Sequence, residues 1–257
     1  MRLHRFYIVQ KIEGEELTIS DSELIHQLMK VFRFKVGSKI IVFDGTGVDH
    51  EAEIISLTKK EVILKIKLVN QGIYLTDQNH ISLYLSLIKK SNFELAVEKC
   101  TEIGVSEIHP VLSERSEKKD LNFERLGKII KEACEQSGRT VLPEIFPIRD
   151  LEIAVSHAVK NNKFCIAFHT GETDCDSQAD FEHNRPGSHH LPSPTQDSSL
   201  EKEESQKVAA FVGPEGGWSE SEIKLFKKNK FSICSLGHNI LRAETAAIVS
   251  VWEAFHR

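Results

Sequence analysis

The chain has 257 residues, 40% of them hydrophobic, and a formal net charge of −5; this is an ordinary globular composition with enough apolar material for a substantial core and for two domains. Its five cysteines, an odd number with no C-x-x-C pair, argue against a disulfide framework or a zinc knuckle and suit a reducing cytoplasm. The opening MRLHRFYIVQ has too short an apolar run for a signal peptide, and no segment reaches the ~18 apolar residues of a membrane span, so a soluble cytoplasmic protein is expected.

Residues 1–72 read as β-rich with one helix. Ser20 or Asp21 caps a helix through SELIHQLMKV, and KVGSKIIVFDGTG gives a strand followed by an Asp-Gly turn. VDHEAEIISL and EVILKIKLV, separated by TKK, alternate as paired strands. Short strands with tight turns predict a small barrel. The pattern loosens from Gln71 to Asn79, which places a domain boundary after residue 72.

From His80 onward strands and helices alternate. ISLYLSLI is a strand; SNFELAVEKCTEIG is a helix with a capping box of Ser91 and Glu94 and with Gly104 at its end; VSEIHPVL is the next strand. NFERLGKIIKEACEQSG has helical periodicity and stops at Gly138, DLEIAVSHAVK follows as a shorter helix, and KFCIAFH as a strand. Residues 171–207 interrupt the alternation. They carry three Lys and Arg against nine Asp and Glu, which accounts for nearly all the net charge, and they read as a disordered acidic insertion. Its His183, His189 and His190 read as part of a solvated loop, so no metal is expected. The rest of the chain is close to neutral, which leaves a locally basic RNA-binding face open. VAAFV, SESEIKLFKKN, FSICSL and a last helix through RAETAAIVSVWEAFHR complete the pattern. Residues 73–257 thus predict a largely parallel sheet with helices on both faces, and ligands at the carboxyl ends of its strands.

Three strand ends stand out: Phe168-His169-Thr170, Gly213-Pro214-Glu215-Gly216-Gly217 and Leu236-Gly237-His238-Asn239. The second opens a helix with a capping box of Ser219 and Glu222, so its N–H groups are free to face a ligand. It lacks the Lys-Ser/Thr of a P-loop and the spacing of a dinucleotide fingerprint, and Glu215 would repel a phosphate. Two readings remain: glycines that let backbone approach a flat, neutral or cationic ligand, with Pro214 stiffening the turn, or a tight β-α turn with no ligand. LGHNILRAETAAI favours the first. Its Arg242 and Glu244 also suit an exposed polar first turn, but two Gly-bearing strand ends in one half-domain suit a shared pocket.

GPEGGWSESEI and LGHNILRAETAAI closely resemble the paired C-terminal motifs of the RsmE family, the bacterial 16S ribosomal RNA uridine N3-methyltransferases of the SPOUT superfamily. The resemblance extends to EKCTEIGV (98–105), SERSE (113–117) and EACEQSGR (132–139), and in the first domain to RLHRFYI and HQLMKVFRFKVGSKIIVFDGTG, which look like a PUA-like domain. It covers nearly the whole chain, and the acidic insertion is its main departure. It implies a C-terminal α/β knot with a deep trefoil knot, a homodimer, and an S-adenosylmethionine pocket made by the knot loops. By carry-over the cofactor is surrounded by Phe168 and His169, by Gly213, Pro214, Glu215, Gly216 and Gly217, and by Leu236, Gly237, Ile240 and Leu241. Arg242 then stabilises the uridine imide anion, and Glu244 is either the general base or a partner that holds Arg242 and the helix start. Arg2, His4, Arg5 and Arg33 in the first domain, with Lys89, Lys90, Arg115 and Arg139 in the second, are the expected phosphate contacts to the 16S RNA of the small ribosomal subunit.

Overall fold

Alternating apolar residues set the first layer of structure. In Glu16–Ile19 (β2) Leu17 and Ile19 are buried while Glu16 and Thr18 face water, the period-two pattern of a half-buried strand. With Arg5–Tyr7 (β1), Lys39–Phe43 (β3), Asp49–Leu57 (β4) and Val62–Asn70 (β5) it forms a five-stranded sheet in the order β1-β3-β4-β5-β2. The β1–β3 pair is parallel and the other pairs are antiparallel. No ladder joins β1 to β2 among the described residues, so the expected barrel is an open path of strands. Asp21 caps the helix Ser22–His26 (α1) by accepting from the amides of Glu23 and Leu24, and the helix continues as a π-helical turn, Gln27–Val31. Leu24, Ile25 and Leu28 bury against Phe6, Ile40, Val42, Ile54 and Leu64.

The structure is a computed structural model that describes residues 3–70, 79–116, 120–162, 164–171 and 206–255. The chain divides into two compact units: Met1–Leu75 with Lys131–Leu142, and Thr76–Ile130 with Pro143–Arg257. The cut falls three residues beyond the expected boundary, and the assignment of 131–142 to the first unit was not expected from sequence. Most of the acidic insertion, with its three histidines, lies outside the described residues, as does Arg2.

The second unit is the predicted parallel sheet. Asn79–Ser86 (β6), Glu107–Leu112 (β7), Glu144–Ile145 (β8), Arg149–Asp150 (β9), Phe164–Phe168 (β10), Gln206–Val212 (β11) and Ser232–Cys234 (β12) run in the order β12-β10-β11-β6-β7-β8, with β9 also on β7. Every recorded pair is parallel. Residues 81–88 are buried without alternation, as a strand covered on both faces requires. The helices are Lys90–Ile103 (α2), Phe123–Ser137 (α3), Leu151–Asn161 (α4), Glu220–Lys228 (α5) and Ala243–Phe255 (α6). Small buried residues, Ala247, Ser250 and Ala254, let α6 lie close to β6, β11 and α2.

One local expectation needs correction. Helix α2 begins at Lys90 with Lys89 as N-cap and no side-chain cap bond; Ser91 already lies inside the first turn, and Glu94 pairs instead with Arg125 at 2.8 Å. Gly104 does end that helix, at φ 125. Cys100, Cys134 and Cys165 are free thiols. Among the described residues no helix is long and apolar enough to cross a membrane.

Candidate functional site

The strand order makes β12, β10 and β11 neighbours, so the three strand ends singled out in the sequence lie side by side. Their loops enclose one cavity of about 420 Å³, lined by residues 168–170 after β10, 212–218 after β11, and Ser235, Leu236 and 239–243 before α6, with Ala246. This volume falls in the range of roughly 300–1,000 Å³ usual for small-molecule sites. The cavity brings together Phe168, His169, Gly213, Pro214, Glu215, Gly216, Gly217, Leu236, Ile240, Leu241 and Arg242. Gly237 and Glu244 are not part of its wall.

The wall is held from behind by side chains that sequence reasoning missed. The Trp218 indole, buried to 4%, donates to the Phe168 carbonyl at 3.0 Å, and the His169 amide donates to the Cys234 carbonyl at 2.8 Å. The backbone at 168 and 169 is therefore tied into the scaffold and shapes the pocket. Gly213 is needed here: a Cβ at that position would meet the Trp218 ring at 3.1 Å, closer than ordinary contact. Trp218 follows GPEGG directly and precedes the Ser219 cap, the one sequence signal that marks it as the buried side chain of the turn.

GPEGG is a closed turn. The Gly217 amide donates to the Pro214 carbonyl at 2.8 Å, and Gly217 takes φ 67, a conformation that favours glycine. The loop after β7 fastens it. Arg115 Nη1 donates to the Gly216 carbonyl at 2.7 Å, and its Cδ would lie 3.2 Å from any Cβ at 216. Buried Glu222 accepts from the Glu114 amide and from the Ser219 amide, both at 2.8 Å, so one carboxylate closes the expected capping box and bridges the SERSE and GPEGGWSE segments.

Chemically the cavity is apolar with two exposed charges, Glu215 and Arg242. Burial lowers the pKa of the His169 imidazole from its ordinary value. Ile240 is 85% exposed, an apolar side chain left open toward whatever fills the site. Arg242 sits at the helix start, where its carbonyl accepts from the Ala246 amide at 2.8 Å. Glu244, two residues on, is buried to 6%, and its Oε2 has no hydrogen-bond partner. Among the described residues no group of three or more His, Cys, Asp or Glu is arranged to hold a metal.

The expected phosphate contacts fall in both units. In the first unit Arg5 is withdrawn from solvent, 8% exposed: it pairs with Asp49 at 2.8 Å and donates to the carbonyls of Gly138 and Arg139 at 2.7 and 3.1 Å. These bonds make it a structural arginine, since removing a buried charge from its partners for a phosphate would leave Asp49 unpaired. Arg139 Nε donates to the Val141 carbonyl at 2.5 Å. His4 and Arg33 are both exposed, and the His4 ring lies 4.6 Å from that of Phe32. In the second unit Lys89 and Lys90 are exposed at the start of α2, and Arg115 is exposed but engaged by Gly216.

The chain matches known proteins along its length. Residues 76–252 match the model of the RNA methyltransferase domain and residues 19–67 that of the RNA methyltransferase PUA domain. Ribosomal RNA small subunit methyltransferase E from Rickettsia conorii is 29% identical, covering 98% of this chain and 94% of its own. Ribosomal RNA small subunit methyltransferase E 2 from Borreliella burgdorferi is 30% identical, covering 93% and 91%. The crystal structure of a Ribosomal RNA small subunit methyltransferase E from Neisseria gonorrhoeae, bound to S-adenosyl methionine, superposes with a TM-score of 0.75 at 26% identity over 97% of this chain and 95% of that one.

Proposed function

Because the chain belongs to the RNA methyltransferase family, and within it to the small-subunit ribosomal RNA methyltransferase E proteins, we propose that it uses S-adenosylmethionine to methylate N3 of a uridine in 16S ribosomal RNA. The observation that carries the reading is the cavity shared by the loops where three adjacent parallel strands end, with GPEGG as one wall and LGHNILR as another. The residues present fit the cofactor. A Cβ at Gly213 or Gly216 would crowd the Trp218 ring at 3.1 Å or the Arg115 side chain at 3.2 Å, so the packed loop favours bare backbone there, which suits a flat adenine, and exposed Glu215 offers a carboxylate to a sulfonium cation. When bound, S-adenosylmethionine supplies an electrophilic methyl group.

The protein's own task is the acceptor. Neutral uridine carries a proton on N3 and is a poor nucleophile until that proton leaves, and negative charge then spreads to O2 and O4. Arg242, exposed in the cavity and fixed at the start of α6, places a permanent positive charge where that charge develops. Glu244 stands behind the cavity wall, which supports its reading as a residue that holds the helix start, with Oε2 in reserve for Arg242 or for the proton. Alignment of donor and acceptor in one rigid pocket supplies much of the remaining acceleration. The same proposal includes a deep trefoil knot through these loops, a homodimeric assembly, and the small ribosomal subunit as the natural source of the RNA.

Replacing Arg242 by Ala tests the assignment. Turnover on 16S RNA falls by about 10²–10³-fold, the loss typical of one removed anion-stabilising donor, while calorimetric cofactor affinity stays near wild type. Unchanged turnover would remove Arg242 from the chemistry.

A further inference from the structure

We infer that the His169 side chain is the general base of the methyl transfer: a ring nitrogen of its imidazole takes the N3 proton of the uridine as N3 bonds to the methyl carbon. The inference rests on the methyltransferase reading of the cavity and adds to it the group that makes the acceptor nucleophilic. The proton passes from N3 to the imidazole, the N3 electron pair forms the new bond to carbon, and the carbon–sulfur pair stays on sulfur. A neutral base and a cationic donor thus become an imidazolium and a neutral thioether, and solvent then removes the proton.

His169 lines the cavity together with Arg242, so the base and the cation that holds the imide charge share one wall. Its backbone is fixed on both sides: Trp218 donates to the Phe168 carbonyl at 3.0 Å, and the His169 amide donates to the Cys234 carbonyl at 2.8 Å. The ring itself is uncommitted. Burial alone lowers its pKa from the ordinary 6.5, with no hydrogen bond and no neighbouring charge contributing among the described residues. Such a shift favours the unprotonated form, the one that accepts a proton. Gly171 keeps that form accessible. A Cβ there would lie 2.6 Å from the His169 Nε2, yet the backbone at 171 is not left-handed, so turn geometry does not call for glycine. The missing side chain leaves Nε2 uncovered.

The other groups in the wall suit the task less well. Glu215 and Arg242 are the remaining charged side chains among the described lining residues. A guanidinium accepts no proton. Carboxylates are weaker bases than imidazoles, and Glu215 is the group offered to the sulfonium. Glu244 lies outside the wall, which leaves the imidazole as the base with direct access to the cavity.

The test uses the full chain, small ribosomal subunits that lack the modification and saturating S-adenosylmethionine, with single-turnover rates measured from acid to alkaline pH. In wild type the rate climbs with pH and levels off once the imidazole is unprotonated. The levelling point matches the His169 pKa read by NMR on carbon-13 histidine-labelled protein, where H169Q identifies the signal. H169Q is slower by about 10²-fold at neutral pH and does not level off: its rate keeps rising in proportion to hydroxide, so the deficit shrinks toward the pH at which uridine ionises unaided. A residue that merely shapes the pocket gives the same deficit at every pH. G171A, whose Cβ displaces Nε2, loses roughly tenfold through misplacement of the base. Calorimetric affinity for S-adenosylmethionine stays near wild type in both variants, because the backbone ties at 168 and 169 persist, and it shows that both are folded. Wild-type rates in both variants, a deficit independent of pH, or a loss of cofactor affinity as large as the loss of rate overturns the inference. Failure of the methyltransferase reading looks different: wild-type protein that binds no cofactor or leaves uridine unmethylated removes the activity and the base with it, whereas active wild type with a pH-independent deficit in H169Q removes the base alone.

Discussion

Glu215 and Arg242 are opposite charges in one apolar cavity, and at the scale of single residues the proposed function divides the work between them. An exposed carboxylate interacting with a cation at contact distance in water-like surroundings contributes on the order of 1 kcal/mol, more as the site closes and water leaves. Charge reversal by Glu215→Lys is therefore expected to weaken S-adenosylmethionine binding by roughly tenfold or more, with a smaller effect on RNA binding, as read by paired titrations. Equal losses for both ligands would contradict a cofactor-facing Glu215. Both residues were visible in the sequence because each sits in a compact motif at a strand end. The Trp218 bond to Phe168 was not visible, since it joins residues 50 positions apart and nothing local to either encodes it. Arg5 shows the converse failure: basic character suggested phosphate, but its surroundings, Asp49 and two carbonyls, are contributed from 44 to 134 residues away.

Elements position these residues through loops that touch. The GPEGG turn is fixed on one side by its own capping box and on the other by the loop after β7, across separations of 101 and 108 residues. Glu222 is the centre of that arrangement. Its replacement by Gln puts an amide NH₂ against one of two backbone donors and is expected to destabilise the fold by about 1–3 kcal/mol. The same change should raise KM for S-adenosylmethionine with little change in kcat, because the wall loosens while Arg242 stays in place. A thermal midpoint equal to wild type would show that the bridge adds nothing. Of this arrangement the sequence disclosed the half within α5, where Ser219 and Glu222 are three apart, and hid the half that crosses to Glu114. The α2 cap was misread for a related reason: the serine and glutamate have the right spacing, but the helix starts at Lys90, before Ser91, and Glu94 turns to Arg125.

At the scale of the molecule, β-α periodicity made the parallel sheet legible, since buried strands and amphipathic helices repeat over 170 residues, whereas strand order depends on crossovers that periodicity does not encode. Nothing in the sequence marks 131–142 as part of the first unit, because it continues a helix that begins in the other unit. Stability should also respond to acid. Within the second unit a hydrogen bond with His109, with help from Ser82 and against the opposing effect of burial, lowers the Glu107 carboxyl from its ordinary 4.5 to about 2. A carboxyl lowered on folding stabilises the native state above its unfolded value and loses that contribution as pH falls from about 4.5 toward 2. Glu107→Gln should therefore be less stable than wild type at neutral pH and approach it in that acid window; a constant difference down to pH 2 would refute the assignment. The central claim is that the strand-end cavity serves methyl transfer to one position of one base. It is tested most directly by incubating the purified chain with isotopically labelled S-adenosylmethionine and small ribosomal subunits that lack the modification, then digesting the RNA and identifying the labelled nucleoside. Label in 3-methyluridine of 16S RNA, abolished by Arg242→Ala, is the predicted result; label in any other nucleoside, or none at saturating cofactor, would contradict it.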